Sequence, residues 1–373
     1  MQAYKKRGFW VGLGVFFLIL LSPNPESLSP TGWAVAAVTL LMAIWWATEA
    51  VPVAVTALLP LALFPLLQVT DFKAAALPYA NPNIYLFMGG FILALGIESS
   101  GLHKRLALKM LILVGNSGAK LVGGFMLVSA VISMWVMNTS TTLMLLPIGL
   151  AVCASVAETI PNFSAKQRKN FETSLLLGIA YAASIGGMST LVGTAPNIIF
   201  AAFMLETYGI EISFIDWMKL GVPIASIMLV ASWYTITKFV YPVNFVASME
   251  TKLQLRNMLT DLGPLGRDEK KVLVIFLFAA GAWMFRTLLD NFVPLSGLTD
   301  AGIAILAALS FFFIPSENNK TDLLTWEQAN KLPWGLLVLF GGGLSLAASI
   351  GSSGLGSWIG QGLTVLENVP PIV

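Results

Sequence analysis

The 373-residue sequence predicts an all-α, polytopic membrane protein, and three observations support this fold class. Hydrophobic residues make up 57% of the chain, whereas Asp, Glu, Lys and Arg together make up only 11%. Soluble domains carry roughly 25% charged residues, so this chain has too few charges to cover a water-facing surface. Apolar stretches approaching the roughly 20 residues of a membrane-spanning helix recur along the whole sequence.

Composition also argues against several other classes of protein. A single cysteine, Cys153, excludes a disulfide framework, and a single histidine, His103, argues against zinc cages and His-rich metal sites. The net charge of +2 lacks the strong basic excess that binds nucleic acid, so no nucleic-acid partner is expected. His103 lies in the amphipathic segment Gly101–Val114, and we expect it on a solvated cytoplasmic helix face.

The N-terminal residues 1–30 are predicted to contain a first membrane helix. The apolar stretch Phe9–Leu21 follows Lys5, Lys6 and Arg7, an order that a cleaved signal peptide also shows. No small-residue cleavage site follows, and a second apolar stretch begins shortly afterwards. The alternative of a cleaved signal is therefore the weaker one.

Basic residues predict the orientation of the chain in the lipid bilayer. Most of the 21 Lys and Arg residues fall on one side if the N-terminus is cytoplasmic. This holds only if residues 121–157 enter and leave the membrane on the same side. The sequence thus predicts a multi-pass protein of the cell inner membrane with a cytoplasmic N-terminus and a re-entrant hairpin.

An internal repeat predicts the architecture. Phe87–Leu102 aligns without gaps on Phe340–Leu355, an offset of 340 − 87 = 253 residues. The basic segment His103–Arg105 follows the first copy, whereas the uncharged Gly356–Trp358 follows the second, so the positive-inside rule points the copies in opposite directions. Inverted repeats are typical of secondary transporters, whose binding site lies near the membrane midplane.

The repeat also predicts the domain boundaries. At the same offset the last residue, 373, corresponds to position 373 − 253 = 120, so we expect a C-terminally truncated second repeat. The predicted segments are a first membrane helix at 1–30, a first repeat at 31–243 with a hairpin at 118–157 and a broken helix at 173–207, a cytoplasmic linker at 244–271, and an incomplete second repeat at 272–373.

Two polar stretches interrupt the apolar pattern, Ser133–Thr142 and Ser184–Asn197. The first lies between apolar arms of about 15 residues, neither of which would cross a ~30 Å hydrocarbon core, so we expect a hairpin tip. The second contains several glycines and Pro196, which favour a broken helix. Non-helical backbone at this depth is tolerated only where protein covers it or where it lines a wet cavity.

These breaks suit a hard cation together with an anion. Carbonyl groups and the side-chain oxygens of Ser133, Asn138 and Thr139 suit sodium. Half-helices that begin after Thr139 and after Asn197 would offer free N–H groups to a carboxylate. The hydroxyl groups of Thr139, Thr190 and Thr194 are further candidate donors.

Five motifs carry a resemblance to a known family. The chain resembles the divalent anion–sodium symporters, the INDY-type di- and tricarboxylate carriers, in Trp45–Pro52, Phe87–Gly90, Glu98–Arg105, Met134–Thr139 and Ser184–Asn197. The resemblance implies an inverted-repeat, elevator-type transporter that works as a homodimer. It also implies sodium-coupled symport of small dicarboxylates such as succinate, malate and fumarate.

The resemblance further implies individual site residues. It places the first sodium ion at Ser133, Met137, Asn138 and the backbone of Gly193. It places half of the dicarboxylate site at Asn138, Thr139, Thr194, Ala195 and Pro196. Met137 departs from the family signature, which has a serine there, and a thioether is a poor ligand for a hard cation. The second signature would fall near position 138 + 253 = 391, beyond the sequence.

Alternatives remain open at this stage. Met137 favours a sodium-independent dicarboxylate exchanger of the same fold, and a sulfate transporter is a third possibility. An intramembrane enzyme is the remote alternative. Neither polar stretch contains a His, Cys or acidic residue that would activate a serine. The protein is therefore predicted not to be an enzyme.

Overall fold

The computed structural model describes residues 3–113, 117–160, 163–246, 249–289, 297–317 and 321–363. The chain divides into two compact units. Unit 1 comprises Met1–Tyr85, Ile199–Glu211 and Pro333–Val373, and unit 2 comprises Leu86–Ile198 and Ile212–Leu332.

Helices account for all the regular elements in the described residues, which confirms the all-α prediction. Besides a 3-10 helix at Leu77–Ala80 and a π-helical segment at Thr235–Val240, they are all α-helices. They are α1 (Ala3–Leu21), α2 (Pro30–Thr48), α3 (Val53–Thr56), α4 (Leu59–Leu66), α5 (Phe72–Ala76), α6 (Pro82–Ser99), α7 (Leu102–Ile112), α8 (Gly118–Ser133), α9 (Asn138–Thr159), α10 (Ala165–Gly187), α11 (Ala195–Tyr208), α12 (Phe214–Tyr234), α13 (Met249–Asp261), α14 (Arg267–Met284), α15 (Arg286–Leu289), α16 (Asp300–Ser310), α17 (Trp326–Ala329), α18 (Trp334–Ser352) and α19 (Leu355–Leu363).

Five helical segments among the described residues are long and apolar enough to cross a membrane. They are Pro30–Thr48, Pro82–Ser99, Asn138–Thr159, Phe214–Val240 and Trp334–Ser352. Their length and composition agree with a multi-pass membrane protein. The predicted first membrane helix corresponds to α1, which starts before the three basic residues and continues to Leu21. Its position in a bilayer stays a prediction.

In unit 1, helices α1 and α2 pack closely because small residues of α1 lie against large side chains of α2. Gly12 lies against the Trp45 ring, and Phe9 stacks on the same ring with centroids 5.1 Å apart. Helix α18 joins this core where Gly342 meets the backbone at Ala57. Close approach of backbones through glycine is how membrane helices gain dispersion energy without a hydrophobic driving force.

In unit 2, helix α10 packs against both arms of the α8–α9 hairpin. Gly186 lies against the backbone of Ala130, and Ser129 Oγ donates a hydrogen bond to the Ile179 carbonyl at 2.8 Å. Gly149 of α9 meets the Ile179 side chain. The hairpin is thereby fixed along the length of α10.

The length of the second hairpin arm differs from expectation. Helix α9 has 22 residues and extends for about 33 Å, so the expectation that neither arm could cross the membrane is wrong for this arm. The polar residues after Asn138 belong to its first turns, whereas the apolar pattern placed them in the tip. Helix α8, at 16 residues and about 24 Å, is short as predicted.

The expectation of a solvated His103 is also wrong. Its side chain is buried, and Nδ1 donates to the Ile97 carbonyl at 3.0 Å, because a carbonyl can only accept. Helices α8 and α13 both contact α7. Burial lowers the pKa of His103, which lies outside the five candidate spans, below its usual value.

Arg105 of α7 holds the segment that was predicted as a cytoplasmic linker. Its Nε donates to Glu269 Oε1 at 2.8 Å, and its two terminal nitrogens donate to the carbonyls of Leu262, Gly263 and Pro264. The guanidinium thus pairs with backbone carbonyls that follow the end of α13 and with a carboxylate in the first turn of α14. This buried ion pair ties the segment to α7.

Candidate functional site

The hairpin tip is the four-residue segment Met134–Met137 between α8 and α9. Ser133, at the end of α8, is fully buried, and its Oγ donates to Asn138 Oδ1 at 2.6 Å. Asn138 is the first residue of α9 and is half-buried. The two side-chain oxygens predicted as sodium ligands therefore lie in direct contact.

The second break lies between the end of α10 at Gly187 and the start of α11 at Ala195. Thr190 Oγ1 accepts from the Gly193 N–H at 3.1 Å and donates to the Met134 carbonyl in the hairpin tip. The expectation that Thr190 would donate to a substrate is wrong, because its one hydroxyl proton is already used. Thr190 instead joins the two non-helical segments.

Asn197 stabilises the break, a role that the sequence pattern did not predict. Its buried amide donates to the Gly187 carbonyl at 2.9 Å and to the Thr190 carbonyl at 2.7 Å. The side-chain amide has two N–H donors, and these replace the helical partners that two backbone carbonyls lose at the break. The only sequence signal was an asparagine directly after Pro196.

Gly187 brings the two breaks together. A Cβ at this position would lie 2.6 Å from Asn138 Oδ1 and 3.2 Å from the Gly193 carbonyl oxygen. A Cβ at Gly193 would overlap the Gly187 carbonyl. Only glycine permits this approach. The result is a cluster of neutral oxygens from Ser133, Asn138 and Gly193 around one glycine, which we call the oxygen cluster.

The chemistry of the oxygen cluster fits a monovalent hard cation. Carbonyl, amide and hydroxyl oxygens suit hard ions, and soft ligands do not. Met137 is half-buried, and its carbonyl accepts the Thr141 N–H at 2.9 Å. Its thioether adds no suitable oxygen. Among the described residues, no group of three or more His, Cys, Asp or Glu side chains could hold a metal ion.

Two helix N-termini lie beside this cluster in the chain. Helix α9 begins at Asn138 and α11 at Ala195, so the expected starts after Thr139 and Asn197 are too late. Thr139 and Pro196 thus occupy first turns and are exposed, while Thr194 and Ala195 are half-buried. The position before α9, Met137, supplies no side-chain cap. Free N–H groups at such termini favour anions.

Comparisons with known proteins show the family to which the chain belongs. A family model described as the sodium:sulfate symporter transmembrane region matches residues 6–371. The chain belongs to this family. A protein of Staphylococcus saprophyticus named "Sodium-dependent dicarboxylate transporter SdcS" is 39% identical over 98% of this chain and 71% of its own length. The protein of the same name from Staphylococcus aureus strain USA300 is 38% identical over the same shares.

Family membership confirms the predicted resemblance and the class of protein. The relatives are membrane transporters, so this member of the family is a transporter and not an enzyme. The comparisons assign no individual residues. The sodium ligands Ser133, Met137, Asn138 and Gly193 and the substrate residues stay predictions.

Proposed function

We propose that this protein is a secondary active transporter that couples sodium to the uptake of C4-dicarboxylates such as succinate, malate and fumarate. The observation that carries the proposal is the oxygen cluster, where Ser133, Asn138 and Gly193 meet between two breaks. The names of the relatives support sodium as the coupled ion and a dicarboxylate as the substrate.

The geometry suggests how coupling would arise. A sodium ion on Ser133 Oγ, Asn138 Oδ1 and the Gly193 carbonyl would bridge the hairpin tip and the second break. The same ion would fix the N-termini of α9 and α11, where the N–H groups and hydroxyls of Thr139 and Thr194 would receive a carboxylate. Asn138 contributes to both because its side-chain oxygen faces the ion while its amide nitrogen can donate to the anion.

The ion also balances charge. No basic side chain lies in either break, so the helix N-termini and the ion together would supply the positive potential. An anion without the ion would be poorly stabilised, and an ion without the anion would leave excess charge in the membrane. The carrier would therefore move its site across the membrane most readily when both the ion and the anion are bound.

We also propose the finer features that the family resemblance implies. The carrier would work as a homodimer by an elevator motion, in the cell inner membrane with a cytoplasmic N-terminus. The one-sided distribution of basic residues supports this orientation. Residues 31–243 and 272–373 would form the inverted repeats.

A sodium-independent exchanger is a second candidate, and Met137 favours it because the thioether adds no hard ligand. Counterflow in proteoliposomes separates the two. Exchange of labelled succinate that is unchanged when choline replaces sodium would support the exchanger. Replacement of succinate by sulfate in the same assay tests the anion that the family description names.

Asn138→Ala tests the site itself. We expect sodium-driven succinate uptake to fall by at least about tenfold, because the substitution removes an amide that would contact both ion and anion. Asn170→Ala is the matched control, since Asn170 is likewise a half-buried asparagine, lies on α10, and donates only a long bond of 3.4 Å to the Pro242 carbonyl. Equal uptake by the two variants, with equal expression, would remove Asn138 from the site.

A further inference from the structure

The hairpin tip carries a tryptophan that packs into an aromatic stack. Trp135 is stacked on Phe214 at a centroid distance of 5.8 Å and on Trp283 at 6.3 Å. Phe276 meets the same ring edge-on at 4.9 Å. Trp135 lies between the two residues whose side-chain oxygens form the oxygen cluster, only two positions after Ser133.

One acidic residue fixes the other members of this stack. Asp300, at the start of α16, accepts from the Phe214 N–H through Oδ2 at 2.9 Å. Its backbone carbonyl accepts from Trp283 Nε1 at 3.0 Å. Phe214 and Trp283 are themselves stacked at 4.7 Å and are almost completely buried. Asp300 therefore sets the position of both rings on which Trp135 packs.

The charge of Asp300 is held inside the protein. The residue is only 8% exposed, and Arg286 Nε lies 3.3 Å from its Oδ1. Separating a buried ion pair leaves an uncompensated charge inside the protein, so Arg286 keeps the Asp300 carboxylate in place. The ion pair therefore helps to fix the aromatic stack on which the Trp135 ring of the hairpin tip packs.

The tip is consequently held from two sides. Thr190 binds the Met134 carbonyl on the side of the second break, and the stack holds the adjacent Trp135 ring. Because the tip has only four residues, a shift of the ring would displace the backbone on both flanks. Ser133 and Asn138 would then lose the contact that brings their oxygens together.

We propose that Trp135 and Asp300 are positioning residues for sodium binding, acting through the stack formed with Phe214 and Trp283. The proposal rests on the proposed sodium site, since it concerns the affinity of that site. Neither residue would touch the ion. Outer residues that orient ligands commonly change ion affinity by tenfold or more when they are replaced.

The test measures the melting temperature of the purified full chain against sodium chloride concentration, with choline chloride keeping ionic strength constant and no dicarboxylate present. We expect Trp135→Ala to raise the half-saturating sodium concentration by about tenfold, and Trp135→Phe to raise it by about two- to threefold because a smaller ring remains to stack. Asp300→Ala should resemble Trp135→Ala, while Asp300→Asn should shift the value less because an acceptor for Phe214 remains.

Phe171→Ala is the control for general destabilisation. Phe171 is a buried aromatic residue of α10, 16 residues before Gly187 and thus about 24 Å away along the helix. We expect this variant to melt earlier at every sodium concentration with an unchanged half-saturating value. A merely structural role for the stack would give the same pattern for Trp135→Ala.

The outcomes are distinguishable. If the wild-type protein gains no stability from sodium, the proposed sodium site fails, and this inference fails with it. If the wild type responds and both Trp135→Ala and Asp300→Ala keep its half-saturating concentration, the positioning role alone is overturned. If the alanine variants do not fold, Trp135→Phe and Asp300→Asn decide, and identical curves for these and the wild type overturn it.

Discussion

Helices α6 and α18 both end two residues before a glycine with a left-handed backbone, Gly101 at φ 78° and Gly354 at φ 79°, and a new helix follows each glycine at once. The shared Ser-Ser-Gly-Leu sequence therefore gives the same helix end in both copies. Glycine adopts this conformation without the steric cost that a Cβ brings.

The helices that follow the two glycines differ in their contacts. Arg105 and Trp358 occupy equivalent positions, since 105 + 253 = 358. Arg105 is buried and donates to one carboxylate and three carbonyls, whereas Trp358 is half-buried and donates to Ser27 Oγ at 2.8 Å. A repeated local sequence thus fixes local backbone geometry, while the residues that diverged decide which neighbours each copy binds.

We expect the largest difference in stability loss between the two copies when Arg105 and Trp358 are replaced. Arg105→Met should destabilise the protein by about 3–5 kcal/mol, because it leaves Glu269 and three carbonyls without their buried partner. Trp358→Phe should cost about 1 kcal/mol or less, because one hydrogen bond is lost at a partly exposed position. Apparent melting temperatures of the two variants in detergent check this order. Equal shifts would show that Arg105 adds nothing beyond what Trp358 supplies.

Neighbouring glycines within one copy provide a sharper contrast. A Cβ at Gly342 would overlap the Ala57 backbone, whereas a Cβ at Gly343 would meet nothing within 4 Å. Gly342→Ala should therefore cost about 1–3 kcal/mol through overpacking. Gly343→Ala should be neutral or stabilise by up to about 1 kcal/mol, since alanine favours a helix more than glycine does. Melting curves of both variants test this, and a destabilised Gly343→Ala would contradict it.

The two left-handed glycines should respond alike. Neither Gly101 nor Gly354 has a neighbour within 4 Å of an added Cβ, so only backbone strain distinguishes alanine from glycine there. We expect Gly101→Ala and Gly354→Ala each to cost about 1–2 kcal/mol. Asparagine at the same positions should cost less, because it tolerates this conformation better. Clearly unequal melting shifts for the two alanine variants would break the equivalence of the copies.

The smallest effect concerns acid pH, at another pair of equivalent positions. His103 corresponds to Gly356, so only the first copy can respond to protonation near neutral pH. Burial lowers the His103 pKa, which means that the folded state binds the proton less tightly than the unfolded chain. Stability should therefore fall as the pH drops below about 6.5.

His103→Gln provides the control for this pH effect, because glutamine stays neutral and can still donate to the Ile97 carbonyl. The melting temperature of this variant should depend less on pH between 5 and 7 than that of the wild type. His103 is the only histidine, so an identical pH profile for both proteins would assign the acid response to carboxylates.

Sequence patterns predicted the helix breaks better than the helix ends. Polar and glycine-rich stretches marked both interruptions, but the start of α9 came out wrong because Thr139 and Thr142 are compatible with a first helical turn. The hydroxyl of Thr142 bonds back to the Asn138 carbonyl at 2.8 Å and so pairs within the helix. Composition alone does not distinguish a polar tip from a polar helix start.

Other errors came from contacts between distant segments. Thr190 looked free to bind a substrate until the hairpin tip supplied the Met134 carbonyl as its acceptor. His103 looked solvated because the pattern of α7 shows a polar face without showing which helices pack against α7. The role of Asn197 was missed for the same reason, since its acceptors exist only after the helix has broken.

The sequence by itself determined what depends on composition and on neighbours along the chain. The low charge specified a membrane protein, the repeat specified two similar helix ends, and the ordered motifs indicated the transporter family. Only the tertiary structure decided which polar groups face each other, because Gly187 brings Asn138 and Gly193 together across separate helices. Local patterns fix backbone conformation, whereas the pairing of buried donors and acceptors depends on how helices far apart in the chain pack together.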